Sequence, residues 1–394
     1  MTEDKKPKLF LIFHGRFPGE KAAALFAAKS AESFSDAGFE ATLLVPRRLG
    51  RSREKYSDYY GIKPNFKAVF LPVIDLFFWK IFSRIAFLKS YFSFSLSSLA
   101  YLLLKADKKD IIYSNEALPL FLASCFFPRT VYEMHDYPDR KKSLWSFFLK
   151  RMKAIVSTNK WKKEKLSEDF KISPEKIFYE PNAADLKAFS LSISAEDARK
   201  TLLLPSGKFV ITYVGSLRTM GMEKGIDTVL KTASLEKGED SIFLFVGGNA
   251  EDVEFYKKKS AELGAGERTF FAGSVRHSDI PLYLRASDIL LAPFPKGKHY
   301  EYFMSPMKIF EYMMSGRPII ATSLPSIREI LNERNSFIIS PDDDKELFRT
   351  IFEIKKSKDK GEIRAGEAYK DATKYTWEKR ALRIKEFLNK NSNF

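Results

Sequence analysis

KLFLIFH (residues 8–14) and KFVITYVG (residues 208–215) are the two continuous apolar runs that decide the fold class of this chain. Runs of this kind, without alternating polar residues, are typical of strands buried on both faces of a parallel sheet. Each run opens a series in which short apolar strands alternate with helical patterns. Two such series predict two parallel sheets, each with helices on both faces.

The first series begins at residue 8. A helix is expected from about Lys21 to Ala37, with Gly38 as its C-terminal stop. Further predicted strands are ATLLVP (41–46), KAVFLP (67–72), DIIYSN (110–115), TVYEMH (130–135) and AIVST (154–158).

The second series follows a stretch, from about residue 181 to 205, in which the strand pattern lapses. A helix is expected from Ile226, after a glycine-bearing loop. Further predicted strands are SIFLFVGG (241–248), RTFFAG (268–273), DILLAP (288–293), RPIIAT (317–322) and SFIIS (336–340). We therefore expect an α/β protein of two Rossmann-like doubly wound domains, residues 1–187 and 188–375, facing each other across a cleft that would hold ligands beyond the strands' carboxyl ends.

The composition is that of a globular protein with an excess of positive charge. The 394 residues include 66 Lys and Arg against 50 Asp and Glu, a net charge of +16. Such a field attracts anionic partners, which could be nucleotide phosphates, anionic lipid or nucleic acid. The single cysteine, Cys125, excludes an intramolecular disulfide and fits a reducing cytosol. The opening MTEDKKPKLFLIF is not expected to be a signal peptide.

The segment SPMKIFEYMMSGRPIIAT (305–322) carries the strongest functional pattern. Ser305 is a good N-cap and Pro306 a good first helical residue, and the amides at such a helix start favour a phosphate. Lys308 lies in the first turn, where the helix dipole disfavours a cation unless an anion binds nearby. Glu311 follows on the same helical face. An amphipathic helix with solvated Lys and Glu is the alternative interpretation.

The loop after the strand at 208–215 is basic. Gly215, Arg218, Lys224 and Gly225 follow the strand, and basic side chains at its carboxyl end suit a diphosphate. The same residues would also fit an ordinary surface loop.

His135 and Asp136 end the strand TVYEMH. A histidine in that place can donate a hydrogen bond or carry a proton. A lone histidine is, however, more often structural.

Several other site types are not supported. The loop HGRFPGEKA (14–22) has only Gly15 and Gly19, so it lacks the dinucleotide-binding fingerprint, and no Walker A or nucleophile-elbow motif occurs. The four histidines lack metal-ligand spacing, and Asp342, Asp343 and Asp344 are better explained as helix-capping residues. We expect neither a metal nor a cofactor, and no nucleic-acid-binding motif is present.

Taken together, these segments resemble the GT-B glycosyltransferases of family four, the "group 1" transferases. Residues 288–329 are the most specific part, and 17–46 are similar to the family's opening unit. PNAADLKAF (181–189) resembles the family's PNGVDxxxF segment, with Ala183 in place of the usual glycine. Residues 375–388 look like the family's last helix, which implies that 376–394 pack back on the first domain.

The resemblance implies roles for four catalytic residues. Glu311 matches the second glutamate of the family's Glu, seven residues, Glu motif, which grips the ribose hydroxyls. Lys224 matches the lysine on the donor diphosphate, and Arg218 its companion arginine. His135 matches a histidine that hydrogen-bonds the transferred sugar. Besides Glu311, the donor-binding residues so assigned are Gly15, Gly19, Glu20, Gly215, Ser305, Pro306, Met307 and Lys308.

One departure concerns the first glutamate of that motif, which is Phe303 here, with Glu301 nearby but out of register. Because of this difference at position 303, the resemblance does not fix which sugar is transferred and, to a lesser degree, whether the protein is active. The implied chemistry is retaining, metal-independent transfer from a nucleotide sugar to a glycan or lipid-linked acceptor, in cell-surface polysaccharide or glycolipid synthesis. The alternatives are another GT-B activity such as a sugar-phosphate synthase or phosphorylase, a nucleotide-binding but inactive GT-B protein, and a basic membrane- or nucleic-acid-binding protein.

A stretch rich in Phe, Leu and Ser, residues 70–104, lies in the first domain. Its longest uncharged run, residues 90–104, is shorter than a membrane span, so we interpret the stretch as buried or interfacial. Lys80, Arg84 and Lys89 could lie near one helical face, opposite apolar rings. With the basic clusters at 47–53, 140–142 and 160–165, they predict a cytoplasmic protein that contacts the anionic inner face of the membrane. A pair of core helices, with the charge serving solubility, is the alternative.

Overall fold

The chain forms two compact units in a computed structural model that describes residues 6–50, 52–76, 83–219, 221–236, 238 and 240–390. Unit 1 is Met1–Pro181 together with Trp377–Phe394, and unit 2 is Asn182–Thr376. The division therefore lies after residue 181, whereas the sequence suggested 187. Residues just after it are held by unit 2, because Ala184 N donates to Tyr375 O over 3.1 Å.

Unit 1 is built on a seven-stranded sheet in the order β3-β2-β1-β4-β5-β6-β7, parallel throughout. The order reverses between β1 and β4, which is the switch point of a doubly wound fold. The strands are β1 (Lys8–Ile12), β2 (Glu40–Pro46), β3 (Lys67–Leu71), β4 (Ile111–Ser114), β5 (Thr130–Met134), β6 (Ala154–Ser157) and β7 (Ile177–Tyr179).

Helices cover this sheet. They are α1 (Ala22–Asp36), α2 (Tyr56–Tyr60), α3 (Ser83–Lys105), α4 (Ala117–Ser124), α5 (Lys142–Arg151) and α6 (Lys160–Phe170). Local sequence accounts for their ends. Gly38 follows α1 with a φ of 92°, as the predicted stop requires, and Asn159 caps α6 by accepting from Lys162 N over 2.8 Å.

Unit 2 repeats the doubly wound plan with the sheet order β12-β11-β8-β13-β14-β15, also parallel. Its switch point lies between β8 and β13. The strands are β8 (Phe209–Val214), β9 (Arg218–Thr219), β10 (Met222–Glu223), β11 (Ser241–Val246), β12 (Thr269–Gly273), β13 (Ile289–Ala292), β14 (Ile319–Thr322) and β15 (Phe337–Ile339), of which β9 and β10 form a separate antiparallel hairpin.

The helices of unit 2 pack on both faces of its sheet and bury two clusters of apolar side chains against it. They are α7 (Leu186–Phe189), α8 (Ala195–Thr201), α9 (Ile226–Leu235), α10 (Ala250–Glu262), α11 (Ile280–Ala286), α12 (Met307–Met314), α13 (Pro325–Arg328), α14 (Asp344–Lys356) and α15 (Lys358–Ala372). The predicted architecture of two Rossmann-like α/β units is confirmed.

The last helix, α16 (Trp377–Lys390), belongs to unit 1, where it packs on α1. It is fixed by a buried ion pair, since Arg380 Nη2 donates to Glu133 Oε1 over 2.5 Å and both side chains are almost fully buried. Arg380 Nε also donates to Pro181 O over 3.0 Å, and Arg383 forms a bidentate ion pair with Glu180. Burial alone would raise the pKa of Glu133, but Arg380, His135 and Tyr113 together lower that pKa to about 2.

We expect Arg380→Met to destabilise unit 1 by about 3–5 kcal/mol, because it leaves the Glu133 carboxylate buried without its cation. Unit 2, residues 182–376, contains no tryptophan, whereas Trp145, Trp161 and Trp377 belong to unit 1, so tryptophan fluorescence during urea unfolding does not report on unit 2. The exposed neighbour on the same helix provides the control variant Lys379→Met, which should leave the urea midpoint almost unchanged.

The same pair predicts a pH dependence. Because the folded pKa of Glu133 lies below its ordinary 4.5, its contribution is fully present above pH 4.5 and is lost as the pH falls toward 2. The stability of the wild type should therefore fall more steeply than that of Arg380→Met across this window. Equal urea midpoints for the two proteins at pH 7 would contradict the assigned role of the pair.

Candidate functional site

The loops at the carboxyl edge of the sheet in unit 2 pack so closely that two of their positions require glycine. Gly215 follows β8 with a φ of 136°, and a Cβ there would lie 3.2 Å from Lys308 Nζ. Gly225 precedes α9 with a φ of 86°, and a Cβ there would lie 1.7 Å from Pro293 O. These loops flank the switch point between β8 and β13, which is where doubly wound sheets bind ligands.

Lys308 is buried at this switch point, with 8% of its surface exposed. Its Nζ lies 3.8 Å from the centre of the Tyr213 ring and 4.9 Å from that of Phe294, and it has no hydrogen-bond partner among the described residues. Burial holds the pKa of Lys308 well below its usual value, and the charge of Lys224 lowers it further while Glu311 opposes the shift. The aromatic faces compensate only part of the lost solvation, so a bound anion would stabilise the charged form.

Lys224 supplies a second cation at the same edge, at the end of the β9–β10 hairpin. Its Nζ donates to Ser216 Oγ over 3.1 Å, and burial lowers the pKa of Lys224 to about 8. After burial, the positive charge of Lys224 is the second cause that lowers the pKa of Lys308, which shows that the two ammonium groups act on the same region. This is the electrostatic arrangement expected of a phosphate site.

The start of α12 differs from the predicted cap. The helix begins at Met307, and Pro306 occupies the N-cap position without a side-chain cap. The sequence predicted Ser305 as the N-cap, and this prediction is wrong. The Oγ of Ser305 accepts a hydrogen bond from Asn182 N over 3.3 Å, and Asn182 Nδ2 donates to the carbonyl oxygen of Ser305. Farther along α12, Tyr312 Oη accepts from Val214 N over 2.8 Å, which fixes the helix against β8.

Glu311 lies one turn beyond Lys308 on α12 and is buried, with 7% of its surface exposed. Its Oε1 lies 2.9 Å from Nε2 of His277, which stands in the turn His277–Asp279 after β12. From the sequence, His277 was considered only as a possible metal ligand, so this contact was not predicted. No spacing pattern could have revealed it, because 34 residues separate the two side chains.

The side chain of Arg218 packs on α10. Its guanidinium is 4.0 Å from the centre of the Phe255 ring, and its Nη1 is 3.8 Å from Asp252 Oδ1, so the side chain rests on α10. The sequence grouped Arg218 with Lys224 because both follow β8. In the structure Arg218 lies on the β9–β10 hairpin, and its side chain contacts α10.

Phe303, at the position of the expected glutamate, ends a π-helical turn, His299–Phe303. It is buried, with 8% of its surface exposed, whereas Glu301 in the same turn is partly exposed. The position therefore presents an apolar ring where the family pattern has a carboxylate.

The other expected site residues belong to unit 1. His135 Nε2 lies 3.3 Å from Glu133 Oε1, and its ring meets that of Phe26 edge-on at 4.6 Å. Gly19 N donates to Tyr60 Oη over 2.8 Å, and Glu20 beside it is exposed. Gly15 has no room for a side chain, because a Cβ there would lie 2.1 Å from the Phe13 ring.

A polar cluster at the β1–β4 switch point of unit 1 also escaped the sequence analysis. His14 N donates to Glu116 Oε1 over 3.1 Å, and Arg48 Nη2 donates to His14 O over 2.9 Å. Burial, with the charge of Arg48, lowers the pKa of His14 to about 4, so the ring is neutral at pH 7. The cluster brings together three loops that are far apart in sequence.

Among the described residues, no group of three or more His, Cys, Asp or Glu side chains is arranged to hold a metal ion. The acidic run at 342–344 has a structural role. Asp343 caps α14 by accepting from Glu346 N over 2.7 Å, and Asp342 accepts from Lys296 N over 3.0 Å. The predicted capping role is therefore confirmed for Asp343, whereas Asp342 binds a different loop.

Comparison with known proteins matches residues 194–375 to the family described as "Glycosyl transferases group 1". The chain is 26% identical over 181 residues to TuaH of Bacillus subtilis strain 168, provisionally named as a teichuronic acid biosynthesis glycosyltransferase; the match covers 45% of this chain and 42% of TuaH. It is 25% identical over 270 residues to the Escherichia coli UDP-Gal:alpha-D-GlcNAc-diphosphoundecaprenol alpha-1,3-galactosyltransferase, covering 63% of this chain and 67% of that protein. The matches thus span about half to two thirds of these relatives.

The whole chain is also similar in structure to sucrose-phosphate synthase of Thermosynechococcus elongatus. The TM-score is 0.77 at 16% identity, over 98% of this chain and 99% of the synthase. At this identity the likeness concerns the fold alone, and that fold is GT-B. Residues 194–375 of this chain, which lie in unit 2, thus match the group 1 glycosyl transferase family in sequence, and the chain as a whole has the GT-B fold.

Proposed function

We propose that this chain transfers a sugar from a nucleoside diphosphate sugar to a glycan or lipid-linked acceptor. The observation that carries the proposal is the buried ammonium of Lys308, which has no hydrogen-bond partner among the described residues and stands beside a second lysine at a ligand-binding edge. A diphosphate supplies the negative charge that this pair lacks. The match of residues 194–375 to the group 1 transferases supports the same donor class.

In this proposal, Lys224 and Lys308 hold the leaving diphosphate, and the carboxylate of Glu311 accepts hydrogen bonds from the ribose hydroxyls. Loss of a nucleoside diphosphate from the sugar develops negative charge on the diphosphate. Fixed positive groups in a dry site stabilise such charge more than water does, and removing one such group typically costs about 2.7–4 kcal/mol of barrier. Lysines in this role make the transfer independent of a metal ion.

The proposed transfer retains the configuration of the sugar, as the family resemblance implies. The bond between C1 and the diphosphate oxygen breaks, and its electron pair leaves with the diphosphate. The acceptor hydroxyl bonds to C1 on the same face, and its proton passes to an oxygen of the departing phosphate. His135 contacts the transferred sugar, with Glu133 holding its Nε2 side.

The acceptor is proposed to be a precursor of a cell-surface polysaccharide or glycolipid. The names of two relatives support this choice, one referring to teichuronic acid biosynthesis and the other to a diphosphoundecaprenol acceptor. An acceptor of the second kind would bring the protein to a membrane surface.

The exposed face of α3 supports such a position at the inner face of the membrane. An apolar stripe on this face consists of Ile85, Leu88, Phe92, Leu96 and Leu103, each between 47% and 63% exposed. By length and composition, Arg84–Lys105 could cross a bilayer, but the opposite face of the helix is buried in unit 1 at Ala86, Phe94 and Leu102. A helix with one face in the protein and one apolar face outside suits the interface.

The charges beside the stripe favour an anionic surface. Arg84 and Lys89 are both exposed, and at 3.6 residues per turn they lie roughly 140° apart, one on each side of the stripe. The sequence placed them opposite the apolar rings; flanking positions suit headgroup contacts better, because each ammonium or guanidinium can then reach an adjacent phosphate. Lys80, the third expected contact, lies outside the described residues.

We expect the protein to take up protons when it binds a nucleoside diphosphate. UDP, GDP and ADP are first screened for a rise in melting temperature. Since burial lowers the pKa of free Lys224 to about 8 and a bound diphosphate raises it again, Lys224 should gain about half a proton at pH 8. Affinity should then fall by up to about tenfold for each pH unit above 8. Calorimetry in Tris and in HEPES measures the uptake, which should shrink in Lys224→Gln; binding without uptake contradicts the lysine site.

Glu311→Ala and Lys224→Ala should each lower turnover by roughly 10²–10³-fold while the protein stays folded. The assay measures release of nucleoside diphosphate from UDP-, GDP- and ADP-sugars in the presence of EDTA. Lys231→Ala, an exposed lysine on α9, is the matched control and should keep the wild-type rate. Wild-type rates in the first two variants would refute the donor site, and a rate restored only by Mg²⁺ or Mn²⁺ would refute the metal-independent mechanism.

Vesicle flotation should show binding to anionic but not to neutral liposomes, weakened by salt. Arg84→Glu and Lys89→Glu should each reduce binding by at least about fivefold, since one basic residue near the surface contributes about 1 kcal/mol. Leu88→Glu should also release the protein, whereas Ile363→Glu, at an equally exposed position on α15 of unit 2, should not. Protein that fails to float with anionic vesicles at low salt would indicate a soluble acceptor.

A further inference from the structure

We propose that His277 is a positioning residue for the donor, holding Glu311 by one carboxylate oxygen so that the other faces the ribose. This inference rests on the donor site proposed above. It assigns a role to a side chain that lies outside the lysine pair. His277 and Glu311 meet only in the folded unit, where the turn after β12 approaches the middle of α12.

The geometry of the pair is that of a charge-assisted hydrogen bond. His277 Nε2 lies 2.9 Å from Glu311 Oε1, and since a carboxylate oxygen accepts, the ring nitrogen donates. The Glu311 side chain is 9% exposed and that of His277 is 29% exposed. Glu311 is thus shielded from water, which strengthens the hydrogen bond, whereas His277 is partly exposed to solvent.

Both partners are anchored on their far sides. The ring of His277 meets the ring of Phe189 edge-on at 5.9 Å. The helix that carries Glu311 is fixed to β8 and β13 through the hydroxyl of Tyr312. The position of the Glu311 carboxylate is therefore fixed by His277 and by helix α12 before a nucleotide binds.

The hydrogen bond to His277 engages Oε1 of Glu311 and not Oε2. A carboxylate can accept about four hydrogen bonds, so the bond to His277 leaves capacity for two ribose hydroxyls. Without His277 the side chain could adopt other rotamers, and binding would have to order it. Ordering one flexible side chain lowers affinity by about two- to tenfold.

Calorimetric titration of the wild type and variants with UDP, GDP or ADP, whichever binds, tests this role. Inorganic pyrophosphate, which lacks a ribose, is the second probe. We expect His277→Ala to weaken nucleotide binding by about three- to tenfold and to leave pyrophosphate binding unchanged. His277→Gln should recover most of the affinity, because its amide N–H can reach the same oxygen.

A double-mutant cycle separates positioning from direct contact. If His277 acts through Glu311, then His277→Ala should cause no further loss in the Glu311→Ala background. Additive losses would mean that His277 touches the ligand itself, and a wild-type affinity in His277→Ala would mean that it has no role; either outcome overturns the inference. An equal loss of pyrophosphate binding would overturn it as well. If no nucleoside diphosphate binds the wild type, the proposed function fails instead.

Discussion

The burial of a lysine ammonium at the sheet edge of unit 2 is the constraint on which the candidate site depends. Lys308 is held over Tyr213 and Phe294 by a helix that is itself bonded to β8 through Tyr312. Beside this ammonium, position 215 favours glycine because its φ of 136° is one that other residues rarely adopt. An ammonium in such a place is unfavourable without an anion, so the free energy of the empty site is high and ligand binding can lower it.

The polar groups around this cation differ in the part of a nucleotide-sugar donor that each of them can bind. Lys224 adds positive charge beside Lys308, whereas Glu311, one helical turn farther along, is an acceptor held by His277. A phosphate therefore fits at the lysines and hydroxyl groups fit at the glutamate, in an order set by the direction of α12. In unit 1, Glu116 and Glu133 likewise accept hydrogen bonds from groups distant in sequence, namely His14 N and Arg380.

The strands and the fold class could be predicted because buried parallel strands are short, uninterrupted apolar runs. β7 was missed because its three residues are bounded directly by the charged Lys176 and Glu180, and the β9–β10 hairpin because strands of two residues have no periodicity. The predicted N-cap at Ser305 was wrong because a residue remote in sequence, Asn182, competes for its hydroxyl. Local sequence propensity reflects only the interactions within a residue's own segment, and it does not include hydrogen bonds from residues that are remote in sequence.

The sequence alone determined the doubly wound architecture, the positions of the glycines and the presence of Lys224, Lys308 and Glu311 near strand ends, since all of these follow from patterns a few residues long. Tertiary structure alone decided that the Arg218 side chain rests on α10, that His277 meets Glu311 across 34 residues, and that one face of α3 stays outside the core. The physical reason is that burial, and the hydrogen bonds and pKa shifts that burial imposes, depend on which distant segments the fold packs together.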